Sequence, residues 1–107
     1  MLSIANGKVV DSVISFGKCN NDKITLATNV SALVAAANLN RIYLLLENLS
    51  DIPITVSFSE ANAVLGKGMV LLTKGSSFEM SDKIYNGRIS AIASSAAELS
   101  VVECSLG

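Results

Sequence analysis

The sequence predicts an all-β domain, a compact antiparallel β-sandwich of about 7 to 9 short strands. Three observations predict it. Short runs alternate apolar and polar residues with a period of two, as half-buried strands do. Turn-forming residues divide the chain into segments of roughly 8 to 12 residues, the spacing of sandwiches and barrels. The 107 residues are 50% hydrophobic and 16% charged, with a net charge of −1, a composition that supports one buried core and not a disordered chain.

Taken along the chain, residues 1–23 stand apart as an N-terminal arm or a set of added strands, and 24–107 form the sandwich domain. The opening run contains Leu2, Ile4, Val9, Val10, Val13, Ile14 and Phe16, too apolar for a free tail. It adds strands to the sandwich or lies on a neighbouring molecule, and the residues favour neither. Asn6-Gly7 and Asn86-Gly87 each read as a type I′ hairpin turn, because Asn-Gly tolerates the positive φ angles that turn requires. Asn20-Asn21-Asp22, Ser50-Asp51, Gly66-Lys67-Gly68 and Lys74-Gly75 are further breaks. Between Ser31 and Asn48 a helix competes, through the Ser31 cap and the Ala35-Ala36-Ala37 run. Asn38 and Asn40 interrupt it, and 41–48 runs through a four-residue bend into the strand at 53–59, so strand, bend, strand is the reading. Ile54, Val56 and Phe58 alternate with Thr55, Ser57 and Ser59 as a strand with one wet face. Phe78 and Met80 do the same against Ser77 and Glu79, as do Leu99 and Val101 against Ser100 and Val102. A one-turn helix is expected over 60–65, stopped by Gly66.

The chemistry is sparse. With no histidine, the commonest general base and every histidine-based triad or metal site are missing, so no catalytic, cofactor-binding or metal-binding residues are assigned and the chain is not read as an enzyme. Ser15-Phe16-Gly17-Lys18 fits S-x-x-K without the companion motifs of serine enzymes of that type. Gly66-Lys67-Gly68 is a turn and not a phosphate loop. The eight Lys and Arg are dispersed among acids, so no nucleic-acid partner is expected, and no apolar run is long enough to span a membrane. Cys19 and Cys104 lie near opposite ends and pair only if the two ends meet; free thiols are the default reading, since two cysteines do not make a disulfide framework. The sequons at Asn29 and Asn48 carry no weight without evidence of secretion.

Three stretches in order, "AANLNRIYLLLENLSDIPITVSFS", "GKGMVLLTKGSSFEM" and "IYNGRISAIASSAAELSVVE", resemble a small β-sandwich protein of tailed bacteriophages, over about Val30 to Glu103. The resemblance runs through an Asn-x-Asn-Arg bend (Asn38, Asn40, Arg41), a strand ending in Asn48, a Gly-x-x-Leu strand, a Gly-Ser turn and two closing strands. The bend here has Leu39 where the pattern has Pro, and Ser59 stands where Gly is frequent. The family implied is that of capsid decoration, cement or staple proteins. It implies a jelly-roll-like fold, no cofactor, a place on the capsid surface of the virion after synthesis in the host cytoplasm, the major capsid protein as partner, and a homo-oligomer, a trimer before a dimer. A sugar- or receptor-binding module of a tail or head fibre is the alternative on the same fold.

The residues point to an interface on their own account as well. Leu44, Leu45 and Leu46 place apolar groups on both faces of one strand, and only one of those faces can fill the core. Subunit or capsid contacts are accordingly expected at Tyr43 and Leu45, at the Leu49–Ile52 bend, and along the arm at Leu2, Ile4, Val9 and Val10.

Overall fold

The computed structural model describes residues 2–4, 10–12 and 17–106. Ten strands occur in order: β1 (Leu2–Ile4), β2 (Val10–Ser12), β3 (Lys18–Leu26), β4 (Ala32–Ala35), β5 (Arg41–Asn48), β6 (Ile54–Phe58), β7 (Met69–Leu71), β8 (Ser77–Met80), β9 (Ile89–Ala93) and β10 (Ala97–Ser105). β1 and β2 pair antiparallel with each other, Leu2 opposite Ser12. The Asn6-Gly7 turn expected between them lies outside the described residues.

The other eight strands behave as one long antiparallel hairpin wound on itself. Strands β3 to β6 lead out and β7 to β10 return, pairing β3 with β10, β4 with β9, β5 with β8 and β6 with β7. Successive pairs fall alternately into two four-stranded sheets, ordered β3-β10-β5-β8 (the first sheet) and β4-β9-β6-β7 (the second). The pairs β5·β10 and β6·β9 complete each sheet. This winding is a jelly roll, so the expected antiparallel β-sandwich is the fold observed.

Alternation places the core. Leu44 and Leu46 of β5, Leu99 and Val101 of β10, Ile54 and Val56 of β6, and Ile89, Ala91 and Ala93 of β9 meet between the sheets and are buried. Met80 and Phe78 enter from β8 while Ser77 and Glu79 face solvent, as their alternation predicts. Phe58 packs against Phe78 and edge-on against Tyr85, with ring centroids 5.5 and 5.8 Å apart, a favourable aromatic geometry.

Local structure departs from expectation at four places. Residues 84–88 form no hairpin: they cross from β8 in one sheet to β9 in the other. Asn86 spends its amide on the crossing, donating to the carbonyls of Asn38 at 2.9 Å and Arg41 at 3.2 Å. Asn20-Asn21-Asp22 is no break but the middle of β3, an edge strand whose polar residues suit its exposure. No helix occurs at 60–65; residues 64–67 build a tight four-residue turn instead, with Lys67 N–H donating to the Val64 carbonyl at 3.0 Å and Gly66 at φ +78°. Finally, Cys19 and Cys104 are not free. They lie directly opposite each other on β3 and β10 with Cα atoms 4.0 Å apart and form a disulfide. The spacing matches the closer of the two antiparallel pair types, which is what lets a cross-strand pair bridge. Closing a loop of 85 residues limits the unfolded chain and is worth on the order of 2–4 kcal/mol.

Both ends of β5 carry buried polar residues. At its start Arg41, 2% exposed, donates through Nε to Glu103 Oε2 at 2.7 Å, through Nη1 to the carbonyls of Tyr85 and Gly87, and through Nη2 to that of Ala36. Asn38 braces the same corner, donating to Ser105 Oγ at 2.9 Å and Glu103 Oε2 at 3.3 Å. At the other end Asn48, fully buried, donates to the carbonyls of Ile52 and Leu71 and accepts from Ser50 N–H. A sequon asparagine held so cannot accept a glycan in the folded chain. The Asn-x-Asn-Arg bend and the strand-ending Asn are thus structural ties, each satisfying backbone groups where the sheet ladder stops.

Candidate functional site: the two outer faces

A β-sandwich has two inner faces, which make the core, and two outer ones, which are available to partners. On the first sheet the outward positions follow from the register: Tyr43, Leu45 and Glu47 on β5 lie opposite Cys104, Val102 and Ser100 on β10. Leu45 also faces Glu79 on β8. Tyr43 donates its hydroxyl to Glu79 Oε2 at 2.6 Å, and that hydrogen bond is the main reason its pKa lies above the ordinary 10.0. Further along, Lys23 Nζ approaches Glu98 Oε2 at 3.4 Å. The expected contact residues Tyr43 and Leu45 are therefore half-buried within a face of mixed, mostly polar character. Leu49 and Ile52 are half-buried too, Leu49 tied by its N–H to the Glu98 carbonyl and Ile52 packed on the core. Leu2, Ile4 and Val10 fall on β1 and β2, which form a separate two-stranded sheet. Val9 lies outside the described residues.

The second sheet differs. Its outward positions, Thr55 on β6 and Ser90 and Ile92 on β9, are 4%, 0% and 7% exposed. The wet face expected for Thr55 is covered, because the ten-residue link between β6 and β7 (59–68) folds back over it as a strap. Three sets of bonds hold the strap. Ala63 N–H donates to Ser31 Oγ at 2.9 Å beside β4, and Gly66 N–H to Thr55 Oγ1 at 3.1 Å on β6. Arg88 donates to the Ala61 carbonyl at 3.2 Å and to Asn62 Oδ1 at 3.1 Å. Gly68, at φ +135°, closes the strap so tightly that a Cβ there would collide with the Val56 carbonyl oxygen.

The strap covers one surface and presents another. Val64 and Leu65 at its turn are 52% and 43% exposed. Leu33 on β4, opposite Ser90, and Val70 on β7, opposite Thr55, point the same way and are 50% and 40% exposed. Four large apolar side chains thus share one outer face, flanked by Glu60 and Lys67, both exposed. Sequence reasoning passed over them because Val64 and Leu65 sit in a segment read as a short helix and stop. Their only sequence signal is an apolar pair directly before a Gly-x-Gly turn.

Among the described residues no three of His, Cys, Asp and Glu gather as a metal site and no pocket opens in the surface. The described aromatic residues Tyr43, Phe58, Phe78 and Tyr85 are all half-buried.

No family model matches the chain, and no curated protein matches it. A solved structure similar to it, described as "Bacillus endospore appendages form a novel family of disulfide-linked pili", aligns over 90% of this chain and 97% of its own length, with 19% identity and a TM-score of 0.44. A likeness that distant carries neither architecture nor assembly across to this chain.

Proposed function

We propose that the chain is a non-catalytic structural protein that binds the outer surface of a tailed-phage capsid and stabilises it, as a decoration or cement protein does. The observation that carries this reading is the apolar outer face of the second sheet, Leu33, Val64, Leu65 and Val70 exposed together on a firmly tied strap. Large apolar groups held in a fixed arrangement lose little conformational freedom on docking, which is what a surface built for contact requires. The capsid as partner rests on the sequence resemblance. Many weak copies on one lattice stabilise it by mass action, since each binds the assembled state and not the free subunits. The apolar arm with Leu2, Ile4, Val9 and Val10 adds buried area on the major capsid protein.

The test is sedimentation of the purified chain with emptied tailed-phage capsids of the same host. Saturable co-pelleting, a raised temperature of capsid disruption and loss of both on removing residues 1–12 are expected. A chain that stays in the supernatant and leaves the disruption temperature unchanged overturns the reading.

A further inference from the structure

We infer that the strapped face of the second sheet is a self-complementary surface that pairs with the same face of a second copy. This rests on the proposed role as an interface protein and names one contact that role would use. A contact related by a two-fold axis requires one patch to fit itself. The strap meets that requirement in charge as well as in shape. It leaves β6 at Glu60, crosses to Ser31 at Ala63, and returns to Thr55 at Gly66 with Lys67 next. Glu60 therefore lies near the Phe58 end of β6 and Lys67 near its Thr55 level, roughly 10 Å apart along the strand, with Val64 bridged to Lys67 and Leu65 next to it at that end. A two-fold axis lying in the plane of contact, across the line from Glu60 to Lys67, places each copy's Lys67 on the other's Glu60 and sets Val64 and Leu65 beside each of these two pairs. Lys67 has no ion-pair partner among the described residues, and Glu60, whose Oε2 accepts the Arg88 N–H at a long 3.5 Å, keeps an exposed carboxylate.

The other outer face offers a poorer match. Lys23 is already paired with Glu98 and Glu79 receives the Tyr43 hydroxyl, while Glu47 carries a charge with no ion-pair partner among the described residues. Four strands about 4.8 Å apart and some five residues long give a face of only a few hundred Å². That area is below the roughly 800 Å² per partner of a stable complex, so the pair is a weak one that gains strength from multivalency.

The experiment is sedimentation velocity of the full chain from about 10 to 500 µM, on the wild type, on Glu60→Lys, on Lys67→Glu, and on an equimolar mixture of the two variants. The wild type should show a mass that rises towards the dimer with concentration. Each single variant sets two like-charge pairs across the axis and should dimerise about tenfold more weakly. The mixture restores two opposite-charge pairs and should recover dimerisation, an outcome that neither misfolding nor a generic apolar contact produces. Leu65→Asp, with an unchanged melting temperature, should abolish association. A wild type that stays monomeric throughout, or a mixture no better than its components, overturns the inference. Capsid binding that persists in a monomeric wild type would reject the pairing alone, whereas dimers that leave capsids unbound would reject the capsid role alone.

Discussion

The two ends of β5 meet the same difficulty with different chemistry. At each end the strand leaves its ladder, and carbonyl groups of neighbouring loops are left at buried or partly buried positions without a ladder partner. Asn48 answers with a neutral amide that serves two carbonyls and one N–H. Arg41 serves three carbonyls, and because it brings a charge into a buried corner it also needs Glu103. The middle of the strand, by contrast, is Leu44 and Leu46 packed into the core. Apolar packing thus holds the layers together, while side-chain-to-backbone bonds at the ends fix how the crossings run between them. The ionic end should be the more fragile, because removing one partner of a buried pair leaves the other uncompensated.

Arg41→Met breaks that end while nearly keeping its volume. Glu103 loses its countercharge and the carbonyls of Ala36, Tyr85 and Gly87 lose their donors, so a loss of about 3–5 kcal/mol is expected. It would be read as a lower urea midpoint with an unchanged slope. A loss under about 1 kcal/mol would make the corner equivalent to a solvated surface pair and remove the contrast altogether.

Asn48→Ala tests the neutral end. The carbonyls of Ile52 and Leu71 and the Ser50 N–H lose their partner, and about 1–3 kcal/mol should be lost, less than at Arg41. Hydrogen exchange locates the effect: the bend at 49–53 and the β7 edge should open first, and the Arg41 corner should stay protected. Equal loss of protection at both ends would mean that the two ties act as one unit.

Much of this was legible in the sequence where the physics is local. Alternation in 54–58, 77–80 and 99–102 places the inward residues correctly, since a strand's period of two is a property of its own backbone. The choice of strand over helix for 41–48, running through the bend at 49–52 into the next strand, agrees with β5 and β6. Asn38, Arg41 and Asn48 stand out as a pattern, but their partners are 62 to 67 residues away for Glu103 and Ser105, and 23 for Leu71. Only the winding of the hairpin reveals what they tie. The disulfide was illegible for the same reason: it depends on the register of β3 against β10, which nothing near either cysteine encodes. Asn86-Gly87 misleads because its turn preference is weak beside the hydrogen bonds the Asn86 amide makes with the facing bend. The apolar face was missed because it is assembled from β4 at 32–35 and from the strap and β7 at 59–71, stretches that only the fold brings onto one surface.

Ser90 sharpens the comparison from the opposite direction. It is as buried as Asn48, at 0% exposed, yet its hydroxyl has no hydrogen-bond partner. It sits on β9 between Leu33 and Ser57 in the register, on the outward side that the strap covers. If satisfied polar groups are what make the ends of β5 stabilising, an unsatisfied one should do the reverse, since its hydroxyl has given up water for nothing. Ser90→Ala should therefore be neutral or stabilise the fold by up to about 1 kcal/mol, a small rise in the urea midpoint, and leave dimerisation through the strap unchanged. Destabilisation by 1 kcal/mol or more would mean that the hydroxyl finds a partner beneath the strap. Ser90 would then belong with Asn48 as a third buried tie, and the strap would be anchored from below as well as at Ser31, Thr55 and Arg88.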